Sequence, residues 1–205
     1  MFLKTHRFRS HTPAEARRLS NLAHIAGGAL LIIVGLLALA GNLSISSWAH
    51  AAWQMLLIGA GVLLLVGIYL RHPREDWLLL WNDAQQREHT IMAFAMAVAG
   101  AVEIFRGNAL TIFAFVFPLA IFLIGFLFLA HKQHGTGAAQ TRALWIHRAL
   151  GITLILSAIL RVGDLLIASS VYALMWQLAL FAAGVQLIVY REPAGAYEPE
   201  QHHLL

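Results

Sequence analysis

Residues 107–130 read GNALTIFAFVFPLAIFLIGFLFLA, with no Asp, Glu, Lys or Arg among them. A helix crossing the hydrocarbon core of a bilayer needs roughly 20 mostly apolar residues, and this stretch supplies them in one block. It shows none of the period-two alternation of a transmembrane β-barrel strand. An open strand or loop could not satisfy its backbone in lipid, so the block reads as a helix.

Working outward, uncharged runs also cover 19–70, 149–160 and 165–190, each bounded by charged or turn-forming residues. The chain as a whole is 60% hydrophobic and 12% charged, with a mean hydropathy of +0.71. About a quarter of the residues of a soluble domain are charged, so too little polar surface remains here to cover a water-facing globule. The pattern predicts membrane-spanning helices at about 20–41, 51–70, 89–107, 109–130, 146–168 and 171–190. The expected class is all-α, a polytopic membrane protein built as a six-helix bundle, in contact with the lipid bilayer. A basic tail at 1–19 precedes the bundle at 20–190, and a second tail follows at 191–205. The first 18 residues are polar and basic, with Pro13 and no apolar core, and do not read as a cleavable signal peptide.

Charge asymmetry predicts the orientation. Six crossings put both tails and the 71–88 and 131–146 loops on one side, with Lys4, Arg17, Arg18, Arg71, Arg87, Lys132, Arg142 and Arg148 among its basic residues. Only Arg106 and Arg161 lie elsewhere. The positive-inside rule places this face in the cytoplasm. The pI near 10.0 is then a topological signal, and no nucleic-acid motif accompanies it. Within the 71–88 loop, Pro73 and the run Trp77 to Trp81 predict an interfacial helix.

An internal repeat refines the architecture. A shift of 123 positions lays His24 on His147, Gly28 on Gly151, Trp53-Gln54 on Trp176-Gln177, and Ala60-Gly61-Val62 on Ala183-Gly184-Val185. His89 opens the third helix in the same manner, with Ala93 at the glycine position. The expected arrangement is three helical hairpins in parallel repeat. Glycines such as Gly27, Gly28, Gly59 and Gly61 let helix backbones approach.

Two groups of residues carry candidate chemistry. His24, His89, His131, His134 and His147 lie near the cytoplasmic ends of helices, and there is no cysteine. Imidazoles converging at one depth suit copper or zinc. The same residues could instead hold a b-type haem between two helices, as His89 with His147 or His24 with His131. A third reading is a cofactor-free scaffold or assembly subunit with a membrane-protein partner or a second copy of itself. Interfacial histidines also hydrogen-bond to headgroups, water or helix-terminal carbonyls. The second group comprises Glu103 and Arg106, and Arg161 and Asp164, each pair spaced i,i+3. Aligning His89 with His147 sets Glu103 opposite Arg161 and Arg106 opposite Asp164. These charges lie about 21 Å from the histidines at 1.5 Å per residue. They either lock the bundle or carry a proton. No nucleophile elbow or phosphate loop supports an enzyme.

Over about 85–151, Gln86-Arg-Glu-His89, Gly100-Ala-Val-Glu103, Phe117-Pro118, Gly125, His131-Lys-Gln-His134-Gly135 and His147-Arg-Ala-Leu-Gly151 resemble the membrane part of the copper-resistance D (CopD-like) bacterial proteins. The resemblance implies copper handling, with His89, His131, His134 and His147 as metal-associated positions. One departure is that the charge rule puts these histidines on the cytoplasmic side, whereas copper resistance of that type is usually periplasmic.

Overall fold

The computed structural model describes residues 12–71, 81–82, 84–106, 111–130 and 137–193. Among the described residues, six helices make up the bundle: α1 (Pro13–Asn42), α2 (Ser47–Arg71), α3 (Ala84–Arg106), α4 (Val116–Ala130), α5 (Gly137–Ile167) and α6 (Ser170–Val189). A short 3-10 turn, Ile112–Phe115, leads into α4. All six contain a segment long and apolar enough to cross a membrane. Large apolar side chains cover the outside, including Leu36, Leu63, Phe94, Phe122, Ile159 and Val189. In water this surface would be prohibitive, and against acyl chains it costs nothing. The chain is an integral membrane protein.

Four helices, α1, α2, α3 and α5, are longer than the spans predicted for them, α1 and α5 by about two turns. α1 starts at Pro13, where Thr12 accepts from the Glu15 N–H at 3.3 Å and the Glu15 carboxylate accepts from the Thr12 N–H at 2.9 Å. This capping box satisfies two of the N–H groups that a helix start leaves orphaned. Residues 13–19 are therefore helical and continuous with α1. α5 likewise begins at Gly137, ahead of the span, so His24 and His147 sit several turns inside their helices. The interfacial helix predicted at 71–88 falls mostly outside the described residues, as do His131 and His134.

Neighbours in sequence are neighbours in space, and α6 returns to α1 to close a ring. The most extensive packing is α1 on α6, α2 on α3 and α4 on α5. Each of these three seams contains a backbone-to-backbone approach. A Cβ placed on Gly28 would fall 2.6 Å from the Gly184 carbonyl oxygen, and one on Gly184 would fall 2.6 Å from that of Gly28. The α4–α5 seam is reciprocal too: a Cβ on Gly125 would fall 2.8 Å from the Gly151 carbonyl oxygen, and one on Gly151 would fall 2.6 Å from that of Gly125. Between α2 and α3, a Cβ on Gly61 would fall 2.5 Å from the Ala93 carbonyl oxygen, and one on Gly100 would fall 2.6 Å from that of Gln54. Lipid tails are as apolar as the helix surfaces, so close backbone packing supplies the association energy that the hydrophobic effect supplies in water.

Inside the ring, Trp53 of α2, Phe117 of α4 and Trp176 of α6 meet edge to face, with centroids 5.2 to 6.3 Å apart. All three are essentially fully buried. Each stands eight residues before the seam glycine of its own helix, Gly61, Gly125 or Gly184. Aromatic pairs in this geometry contribute about 0.5–1.5 kcal/mol each beyond their area. Val34, Leu57, Leu150, Leu154 and Leu180 complete the core around them.

A graded pair of substitutions tests the seams. Gly184→Ala is expected to destabilise the protein by about 1–3 kcal/mol through overpacking against Gly28. Gly59→Ala, where a Cβ meets nothing within 4 Å, is expected to be neutral. Thermal unfolding in a mild detergent, followed by circular dichroism, measures both.

Candidate metal-binding site

The α1–α6 seam runs antiparallel, and its register brings Asn21 to Glu192, His24 to Tyr190, Gly28 to Gly184 and Gly35 to Gln177. α5 lies on the other side of α6, so His147 enters the same end of the bundle. The His24 and His147 ring centroids are 5.7 Å apart, and Tyr190 packs against both at 4.8 and 5.3 Å. Phe128 of α4 closes the side next to His147 at 5.8 Å. His147 and Tyr190 are buried, and His24 is half-buried.

Both imidazoles are tied to their own helices. His24 Nδ1 lies 2.8 Å from the Ser20 carbonyl oxygen and His147 Nδ1 lies 2.9 Å from that of Ala143. A carbonyl oxygen only accepts, so Nδ1–H is the donor in both rings. In the neutral form the lone pair is then on Nε2, the tautomer expected of a metal-ligating histidine held by an outer partner. Around them, the Tyr190 hydroxyl donates to the buried Glu192 carboxylate, and the Glu192 N–H donates to Asn21 Oδ1 at 2.8 Å. These contacts fasten the chain after α6 onto the start of α1.

Of the five histidines singled out in the sequence, the structure brings two together. His89 sits half-buried in the second turn of α3. Among the described residues, no three His, Asp or Glu side chains gather as a metal site. The expected pairing of His89 with His147 is not what closes this end; His24 takes that place, because the α1–α6 and α5–α6 contacts draw it in. Tyr190, Glu192 and Gln186, which line or support the site, were missed in the sequence. Their signal is modest, a Tyr one turn after a Gln at the end of the last span. The haem reading requires a flat macrocycle between two facing imidazoles. Here Tyr190 fills the angle between His24 and His147, and the gaps among these side chains are too narrow even for water. This space bears only on His24 with His147; of the haem pairings expected from the sequence, His24 with His131 reaches outside the described residues.

The opposite end holds the charges. Arg161 Nη1 is 2.5 Å from Asp164 Oδ2, and Nη2 is 3.8 Å from a Glu103 carboxylate oxygen on α3. The Trp176 indole N–H donates to the same Asp164 oxygen at 3.1 Å, and the Arg161 guanidinium lies over the Trp176 ring at 5.1 Å. Ser157 adds a hydroxyl donated to the Trp176 carbonyl at 2.9 Å. One arginine thereby joins α3, α5 and α6. The expected opposition of Glu103 to Arg161 and the intrahelical Arg161–Asp164 pair are both present. The side chain of Arg106, expected opposite Asp164, lies outside the described residues.

No family model, no curated protein and no solved structure matches the chain.

Removing one partner of a buried ion pair leaves a charge without compensation and typically costs about 3–5 kcal/mol. Arg161→Met is therefore expected to unfold the protein at markedly lower temperature. Trp176→Phe keeps most of the ring volume and loses the indole donor, for an expected cost of about 1–2 kcal/mol. The same thermal unfolding assay ranks the two.

Proposed function

We propose that this chain is a metal-binding protein of a bacterial inner membrane that binds a transition metal ion, copper in the first instance, at a histidine cluster that includes His24 and His147. The observation that carries this reading is the convergence of two imidazoles from different helices, each with Nδ1–H bonded to a backbone carbonyl. Imidazole nitrogen suits copper and zinc, and with no cysteine in the chain no thiolate competes for the ion. His131 and His134 follow α4 in sequence and supply further imidazoles, as does His89; the CopD-like resemblance favours all three. Passage of the ion through the bundle is disfavoured by the aromatic and leucine layer between the two polar ends.

The same reading includes the architecture and orientation. Three regularities favour a threefold parallel repeat of hairpins: the glycine seams, the aromatic eight residues before each seam glycine, and a histidine four residues before Gly28, Ala93 and Gly151. The basic loops favour cytoplasmic termini, and with them a cytoplasmic histidine end. Expected regularities of this kind arise when one hairpin is duplicated and its packing surface is reused.

Purified protein, stripped with a chelator and reloaded with copper or zinc, is expected to retain close to one ion per chain by elemental analysis. The His24→Ala/His147→Ala double variant is expected to lose it, and His131→Ala/His134→Ala reports the share of the second pair. A Soret band in the optical spectrum of untreated protein would instead establish the haem reading. Absence of both metal and visible absorption would leave the scaffold.

A further inference from the structure

We propose that the outward face of α5 binds a phospholipid with an anionic headgroup, its phosphate held at Arg142, Trp145 and Arg148 and one acyl chain lying along the helix into a groove between α4 and α5. This site is independent of the metal reading of His24 and His147.

Residues 137–160 of α5 include Arg142 and Arg148 and no Asp or Glu. Both arginines are exposed, and so is Trp145 between them. Spacings of three and six residues put the three side chains within about 120° of the helix circumference, at 3.6 residues per turn. The Arg148 guanidinium lies over the Trp145 ring, 5.5 Å from its centroid. Among the described residues, neither arginine forms an ion pair. Yet Arg148 follows directly on the buried His147, and one turn later the exposed side chain is Ile152. A guanidinium at the edge of the hydrocarbon is costly unless its head reaches the interface and an anion there. Lipid phosphates lie at that level, and the guanidinium fork bonds two of their oxygens at once. Tryptophan prefers the same level, and its ring steadies Arg148 from one side. Two unpaired positive charges are balanced by an anionic headgroup and not by a zwitterionic one.

Below the arginines the stripe turns apolar, with Ile152, Leu156 and Ile159 all exposed. Ile159 stands eleven residues after Arg148, which places it about 20° round the helix and about 16 Å deeper. One leaflet is about as deep, being half of a hydrocarbon core roughly 30 Å thick. At that depth a groove of about 430 Å³ opens between α4 and α5, lined by apolar side chains that include Leu119, Phe122, Ala158, Ile159 and Val162. Those side chains offer no hydrogen-bond donor or acceptor to a polar ligand. The end of a hydrocarbon chain fills such a space through dispersion contacts alone. Charge at the interface and an apolar groove one leaflet below it match the two parts of one lipid.

The test is native mass spectrometry of the full chain, purified in a mild detergent and titrated with phosphatidylglycerol or with phosphatidylcholine of the same acyl chains. The wild type is expected to retain phosphatidylglycerol more tightly, on the order of tenfold or more. Arg148→Gln is expected to weaken that binding about fivefold, the worth of one basic residue at an anionic surface, and Arg142→Gln/Arg148→Gln about 25-fold. Arg148→Lys, which keeps the charge and loses the fork, is expected to fall between Arg148→Gln and the wild type. Arg17→Gln/Arg18→Gln changes two exposed arginines of α1 and is expected to leave binding unaltered. Ile159→Trp enters the groove from an exposed position. It is expected to weaken long-chain phosphatidylglycerol and to leave a short-chain form untouched. Equal retention of the two lipids by the wild type would overturn the headgroup assignment. A loss in Arg17→Gln/Arg18→Gln as large as in Arg142→Gln/Arg148→Gln would show diffuse attraction and overturn the site. Undiminished long-chain binding in Ile159→Trp would overturn the acyl path alone.

Discussion

Close approach of helix backbones at three glycine seams is the constraint on which the rest of the bundle depends. In lipid, apolar side chains gain little by leaving the solvent, so helices associate through dispersion contacts whose strength falls steeply with distance. Gly28 against Gly184 and Gly125 against Gly151 bring main chains together where any side chain would hold them apart. The register set by these contacts decides everything that follows. On the α1–α6 seam, a shift of one turn would carry His24 past Tyr190 and Asn21 past Glu192. The same seam gives Gln177 of α6 its amide bond to the Ala38 carbonyl of α1, 3.2 Å long.

The second constraint is that polar groups in the membrane must find partners within the protein. The bundle meets it by sorting them to its ends. Glu103, Arg161, Asp164 and the Trp176 indole gather at one end, and His24, His147, Tyr190, Glu192 and Asn21 at the other. Between them lie Trp53, Phe117, Trp176 and a shell of leucines. Trp176 belongs to both the middle and the charged end, because its ring packs on Phe117 while its N–H reaches Asp164. α6 thus contributes to every layer.

Much of this was legible in the sequence, and the exceptions have physical causes. The six spans could be read because length and the exclusion of charge are properties of a single segment. The pairing of Glu103 with Arg161 was also within reach, since aligning two helices by a shared histidine fixes their relative depth. The start of α1 was not predicted at Pro13, although Thr12-Pro-Ala-Glu15 carries a readable capping-box pattern; hydropathy alone marks the membrane boundary and not the helix boundary. The partners of His24 were hidden for a different reason. Which face of α6 turns toward α1 depends on the Gly28–Gly184 contact, and no spacing within either helix reveals it. The same holds for the Asp164–Trp176 bond.

The aromatic layer has an electrical consequence. A membrane potential falls mainly across the part of its thickness that excludes water and mobile ions. Trp53, Phe117, Trp176 and the surrounding Val34, Leu57, Leu154 and Leu180 form such a dielectric plug across the middle of the ring. A positive charge arriving at the His24–His147 end stays on one side of that plug, and it traverses only a small part of the field. If the proposed ion binds there, its arrival moves little charge across the membrane, and occupancy of that end is nearly indifferent to voltage.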